Sequence, residues 1–125
     1  MDEQDLIYDW NEIDYEIERD ARSHPHELWF DDETLRDGLQ SPSARNPSIK
    51  QKIELIDFME TLGIQKADLG LPGAGPFHIG HIDEMLTHMG DNGYALRPGC
   101  AVRTVVSDIE PLIDLQAKHE RQIQA

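Results

Sequence analysis

The chain has 125 residues, enough for one domain with its own hydrophobic core and too few for two. Apolar residues make up 38% and charged residues 29%, a globular composition on the polar side. Eleven Lys and Arg stand against 25 Asp and Glu, and the net charge of −14 disfavours nucleic-acid backbones and anionic membrane surfaces as partners.

No apolar run approaches the length of a transmembrane helix. The acidic N-terminus lacks the apolar stretch of a signal peptide. Cys100 is the single cysteine and forms no internal disulfide, which suits a reducing cytoplasm, the expected location.

Residues 1–26 read as an acidic N-terminal arm and linker, and residues 27–125 as the folded domain. The first 20 residues carry nine acids and one base, Arg19. Ile13, Tyr15 and Ile17 alternate with acids at strand-like spacing, so the arm is expected to pack on its own domain or on a partner. Ser23 to Glu27, with Pro25, reads as a linker. Glu27 to Asp32 then reads as a short strand, and Thr34 to Pro47 as a long loop punctuated by Gly38, Pro42 and Pro47. Ser48 and Gln51 are spaced as a capping box. Ile49, Ile53, Ile56, Phe58, Met59 and Leu62 follow at helical spacing, and Gly63 supplies the stop.

Ile64 to Leu71 is expected to form a second strand, and Leu71 to Pro76 a loop. Ile82, Met85, Leu86 and Met89 mark one face of a second helix, with Gly90 ending it. Cys100 to Val106 reads as a β-branched third strand. Ser107 to Glu110 repeats the capping-box pattern before a third helix running from about Asp108 toward Gln122, with Pro111 in its first turn. The fold class is therefore α/β, with β-loop-α repeated three times and parallel strand pairing. Chemistry in such sheets gathers at the carboxyl ends of the strands. That singles out Asp31 to Gln40, Asp68 to Pro76 and Arg103 to Ser107.

The first of these loops is the richest. An Arg beside an Asp at a strand end can serve two purposes: the carboxylate can bind a hard divalent cation, and the guanidinium can stabilise an enolate or oxyanion. Arg36 and Asp37 have this arrangement, and Gly38 lets a ligand approach the backbone. The competing reading is a solvated turn holding an Arg–Asp pair.

The stretch Asp32-x-Thr34-Leu35-Arg36-Asp37-Gly38-x-Gln40 closely resembles the opening signature of the 2-isopropylmalate and homocitrate synthases, members of the DRE-TIM metallolyases. Further matches follow in family order at Ser48, Lys52-Ile53, Leu62-Gly63-Ile64, Leu69 to Pro72, Arg103-Thr104 and Ser107-Asp108, so the resemblance spans about residues 28 to 118. It implies that residues 27–125 are the first three β-α units of a TIM (β/α)8 barrel, a partial pyruvate carboxyltransferase-like domain.

The implied reaction is a Claisen-type condensation of acetyl-CoA with a 2-oxo acid, as in leucine biosynthesis, with a divalent metal ion (Mg, Mn or Zn) in the complete enzyme. By position, Asp37 matches the metal-binding aspartate and Arg36 the catalytic arginine. Gln40 matches a substrate-pocket glutamine. Asp68 falls where many members carry a glutamate near the metal and is expected at the substrate site, and Arg103 lies where a strand end can meet a substrate carboxylate.

Three units leave five strands of a barrel unaccounted for. The family's late His-x-His metal motif has no match either: His24-Pro25-His26 has that spelling but precedes the first strand and reads as linker. The chain alone is therefore expected to lack turnover. Its two open sheet edges favour self-association or pairing with a full-length homologue. Three alternatives stand beside this reading: a carbon–carbon lyase related to hydroxymethylglutaryl-CoA lyase, a non-catalytic partner of a full-length synthase, and a truncated reading frame. His78 and His81 have a helical zinc spacing without further ligands and read as solvent-facing or capping residues. Cys100 reads as a core residue.

Overall fold

A computed structural model describes residues 29–125. The arm, the linker and His24-Pro25-His26 lie outside the described residues. Three short strands form one parallel sheet in the order β1 (Asp31–Asp32), β2 (Lys66–Asp68) and β3 (Arg97–Gly99). Each is followed by a helix: α1 (Ile49–Leu62), α2 (Pro76–Asp91) and α3 (Val106–His119). Helix α2 touches both α1 and α3.

The start of α1 follows from its sequence. Gln51 N donates to Ser48 Oγ at 3.3 Å, and Ser48 N donates to Gln51 Oε1 at 2.9 Å, which closes the capping box. Gly63 ends the helix in the left-handed region at φ 74°, a conformation that glycine adopts without steric cost. Ile56 and Met59 face the core, whereas Phe58 and Leu62 are exposed, so the apolar stripe of α1 is narrower than its spacing suggests. In α2, Ile82, Met85, Leu86 and Met89 are all buried, as their spacing predicts. The helix begins at Pro76, where a missing N–H is harmless, and continues through Gly90 to Asp91.

The third strand departs from expectation. The β-branched run after Cys100 leaves the sheet, Val105 and Val106 are exposed, and the strand lies upstream at Arg97–Gly99. Pro98 occupies its centre. Arg97 N donates to Gln65 O and Gly99 O accepts from Leu69 N, so the neighbours of Pro98 face β2 while Pro98 itself faces the outer edge. A proline is tolerated on that side because no inner ladder bond is lost. The outer edge is partly taken: Gln124 N donates to Pro98 O, Cys100 N donates to Gln124 O, and Gln124 bridges Gly99 in parallel. The third helix correspondingly stops at His119, with Glu120 left-handed, instead of reaching Gln122.

The second capping box does not form. Val105 is the N-cap of α3 and offers no side-chain cap. Asp108 turns inward instead, where it is wholly buried and accepts from Arg103 N, Nε and Nη2 at 3.1, 2.7 and 2.9 Å. This charge-assisted bidentate pair is the strong polar contact at the start of α3. Because α3 starts at Val106, Pro111 lies beyond its first turn.

The buried Asp108 carboxylate sits against Gly73, where any Cβ would overlap it. Gly73→Ala is therefore expected to cost about 2 kcal/mol. Urea denaturation checks this, and a loss below about 0.5 kcal/mol, the size of an ordinary surface substitution, would contradict the packing.

The amino ends of the strands carry a separate polar layer. Asp57 on α1 accepts from Tyr94 Oη at 2.8 Å and contacts His88 Nε2 at 2.7 Å. Burial pushes the Asp57 carboxyl up, but the bonds from Tyr94 and His88 outweigh it and hold it below its ordinary value. Glu60 accepts from Ala95 N and Leu96 N, and Arg121 donates to the carbonyls of Tyr94 and Leu96. These contacts tie α1, α2 and the approach to β3 together at the end opposite the candidate site. No described helix is long and apolar enough to cross a membrane.

Candidate functional site

Beyond β1 the chain turns tightly. Gly38 N and Arg36 N both donate to Glu33 O, and Thr34 N donates to Asp32 Oδ1. This turn brings Arg36 back over the strand ends. Its Nε donates to Glu33 Oε2 at 2.8 Å, its Nη1 lies 3.2 Å from Asp37 Oδ1, and its Nε lies 3.5 Å from Asp68 Oδ2. Three carboxylates thus fix one guanidinium. The bond to Glu33 and the surrounding negative charge raise the proton affinity of Arg36, so it stays cationic.

Asp68 ends β2 and is buried. Burial raises its carboxyl above the ordinary value, and the Glu33 charge adds to the rise. The Gly70 N–H, 2.9 Å from Asp68 Oδ1, and Arg36 oppose it. Gly70 is buried at φ 139°, a backbone setting that suits glycine. Cys100 is buried nearby, and burial together with the Asp68 charge pushes its thiol up to about 12. A thiol so held is no nucleophile at neutral pH, consistent with a core role.

Next to Arg36 opens a cavity of about 290 Å³. Its polar wall is Arg36, Gln40, Asn46, Lys52, His78 and His81; its apolar wall includes Leu35, Leu39, Leu71 and Ile82. Among the described residues, no carboxylate lines it.

The structure therefore joins Arg36 to Asp37 and Asp68 and puts Gln40 on the same cavity wall as Arg36. Arg103 is placed elsewhere, engaged with Asp108 and outside this wall. His78 and His81 are half-buried cavity residues, which corrects their reading as solvent-facing or capping side chains. Lys52 is 4% exposed and was not singled out for a site; the signal was present, because a lysine at position 52 shares the face of Ile49, Ile56 and Met59.

A metal ion finds little here. Asp37 is highly exposed and bonded to Arg36, and no group of three His, Cys, Asp or Glu side chains able to hold a cation occurs among the described residues. The described residues of this chain do not by themselves fit the divalent ion that the resemblance implies, and no step below runs through one.

A 52-residue stretch of the chain is 40% identical to a 2-isopropylmalate synthase of Sediminispirochaeta smaragdinae. The match covers 42% of this chain and 10% of that protein, so the chain spans only a small part of its relative. No family model matches.

Proposed function

We propose that residues 27–125 are the opening part of a barrel enzyme that condenses acetyl-CoA with a 2-oxo acid, in the manner of a 2-isopropylmalate synthase. The observation that carries the reading is the setting of Arg36. It is a guanidinium held by Glu33, Asp37 and Asp68 at the carboxyl ends of two parallel strands, beside a partly apolar cavity.

In the condensation, a base removes a proton from the acetyl-CoA methyl group, the enolate attacks the carbonyl carbon of the 2-oxo acid, the carbonyl oxygen becomes an oxyanion that then takes up a proton, and water hydrolyses the thioester to release CoA. Arg36 is already ordered and cationic, so it stabilises that charge without reorganising. Gln40 hydrogen-bonds the substrate from the same wall. Asp68 keeps Arg36 in place, and Arg103 with Asp108 braces the following turn. In a complete barrel Asp37 would offer one carboxylate to a divalent ion, and the remaining ligands would have to come from outside the described residues. The partial identity to a synthase favours condensation over the related cleavage reaction. The parallel contact of Gln124 with the outer edge of β3 fits a sheet that continues in the same sense.

A thiol reagent that follows CoA release tests the proposal. The chain alone, with acetyl-CoA, a panel of branched 2-oxo acids and Mg²⁺, Mn²⁺ or Zn²⁺, is expected to stay at the blank rate. Adding a 2-isopropylmalate synthase that lacks its own first three β-α units is expected to raise the rate only when the 2-oxo acid is present. Release by the chain alone would contradict the incompleteness of the site. Association of the two pieces without any release would contradict the proposed activity.

A further inference from the structure

A basic cleft lies at the end of the sheet opposite the candidate site, where the chain enters β3. It measures about 320 Å³ and is lined by Arg97, Pro98, Arg121, Gln122 and Gln124, with no carboxylate among the described residues of its wall. Arg121 uses Nη2 on the carbonyls of Tyr94 and Leu96. Among the described residues neither Arg97 nor Arg121 pairs with a carboxylate, whereas Arg36, Lys66, Arg103 and Lys118 all do. Burial lowers the proton affinity of Arg121, and the Glu60 charge opposes this only in part, so an arriving carboxylate relieves it. Arg121 and Gln122 also border a groove formed by Ile113, Gln116, Ala117 and Glu120. Ile113 is 58% exposed there, on the outer face of α3. A basic and an apolar surface therefore adjoin.

Arg97 also marks where the N-terminal arm arrives. Its guanidinium carbon lies 4.2 Å from the centroid of the Trp29 ring, and residue 29 is the first described. The first 20 residues of the arm carry nine acids and one base, and Ile13-Asp14-Tyr15-Glu16-Ile17-Glu18 alternates apolar with acidic side chains. We infer that this segment docks on the cleft of its own chain, with its carboxylates against Arg97 and Arg121 and its apolar side chains against Ile113 and Ala117. The inference does not depend on the condensation activity. Ile17 stands twelve positions before Trp29, a tether that reaches at most about 40 Å, and the cleft begins beside Trp29 itself. Exposed ion pairs are individually weak, but the tether keeps the segment at a high effective concentration, so a few of them suffice.

The test uses the full chain with Asn11→Cys carrying a nitroxide, read by paramagnetic broadening in NMR. Cys100 escapes the labelling reagent, because it is buried and its thiol is pushed up to about 12. The Ile113 methyl and the Nε–H signals of Arg97 and Arg121 are expected to broaden most. The methyls of Leu39 and Leu71, in the cavity at the other end of the sheet, should stay sharp. Chloride at about 1 M is expected to weaken the broadening, because it screens exposed charges beyond about 3 Å. Asp14→Asn, Glu16→Gln and Glu18→Gln together are expected to weaken it in the same way at low salt.

Broadening that is uniform, or strongest away from Arg97, Arg121 and Ile113, would overturn the inference. So would broadening that the three neutralising substitutions leave unchanged. A mixture of nitroxide-labelled chain without isotopes and isotope-labelled chain without nitroxide separates the two possible sources of the arm. The mixed sample is expected to stay sharp, and broadening of the same signals there would assign the cleft to a second copy and overturn docking within one chain.

Discussion

In an enzyme assembled from this chain and a synthase lacking its first three units, Arg36→Met is expected to slow CoA release by about 10²–10³-fold. The size follows from removing one preorganised cation from a developing oxyanion, and the effect should fall on kcat more than on KM. Arg36 is held by Glu33 at 2.8 Å and lies within 3.5 Å of Asp68, so its geometry is built before substrate arrives. Arg36→Lys keeps the charge and loses the planar fork, so those contacts cannot all be remade, and it is expected to recover only part of the rate. A kcat for Arg36→Met within about threefold of the unaltered chain would remove Arg36 from the reaction, since the lost donor is worth far more than that.

The second large effect concerns stability. Met85 is fully buried in the middle of the helix that touches both α1 and α3. Met85→Ala is expected to cost about 3 kcal/mol through lost burial and the space left behind. A small domain has only about 5–15 kcal/mol in total, so the urea midpoint should fall by a large fraction. The surface position Phe58 lies on the exposed side of α1, and Phe58→Ala should cost much less. Equal losses at the two positions would contradict the assignment of the core face.

The helices were legible because their signals are local. Ser48, Gln51 and Gly63 specify both ends of α1 without help from the rest of the chain, and the spacing of Ile82, Met85, Leu86 and Met89 specifies the inner face of α2. The third strand was not legible, because its position is decided by tertiary pairing. Val102 to Val106 has the stronger β propensity, yet Arg97–Gly99 is the segment that meets β2. A proline fits there only because its missing N–H points to the outer edge, a fact of register and not of composition.

The same division holds at the site. Arg36, Asp37 and Gln40 announce themselves as one motif, and Asp68, read from the sequence as a separate strand end, is brought beside Arg36 by the sheet from more than thirty positions away. Ser107 and Glu110 matched a capping pattern that does not form, while Asp108 between them is held by Arg103 in the space that Gly73 leaves. Lys52 was overlooked, and His78 and His81 were read as solvent-facing or capping, for the opposite reason. Their spacing puts them in line with apolar stripes, Lys52 with Ile56 and Met59, and the two histidines with Ile82 and Met85. Polar residues extending such a stripe past its apolar end mark the rim of a cavity, a signal that can be read in the sequence once it is sought.

The most direct measurement is CoA release by a single-chain chimera, in which residues 29–118 replace the corresponding stretch of a 2-isopropylmalate synthase. Circular dichroism and a cooperative melt first establish that it folds. The account predicts release of CoA from acetyl-CoA that depends on a 2-oxo acid and disappears with Arg36→Met. A folded chimera that stays at the blank rate with every 2-oxo acid would contradict the claim that this chain carries the front of a condensing site.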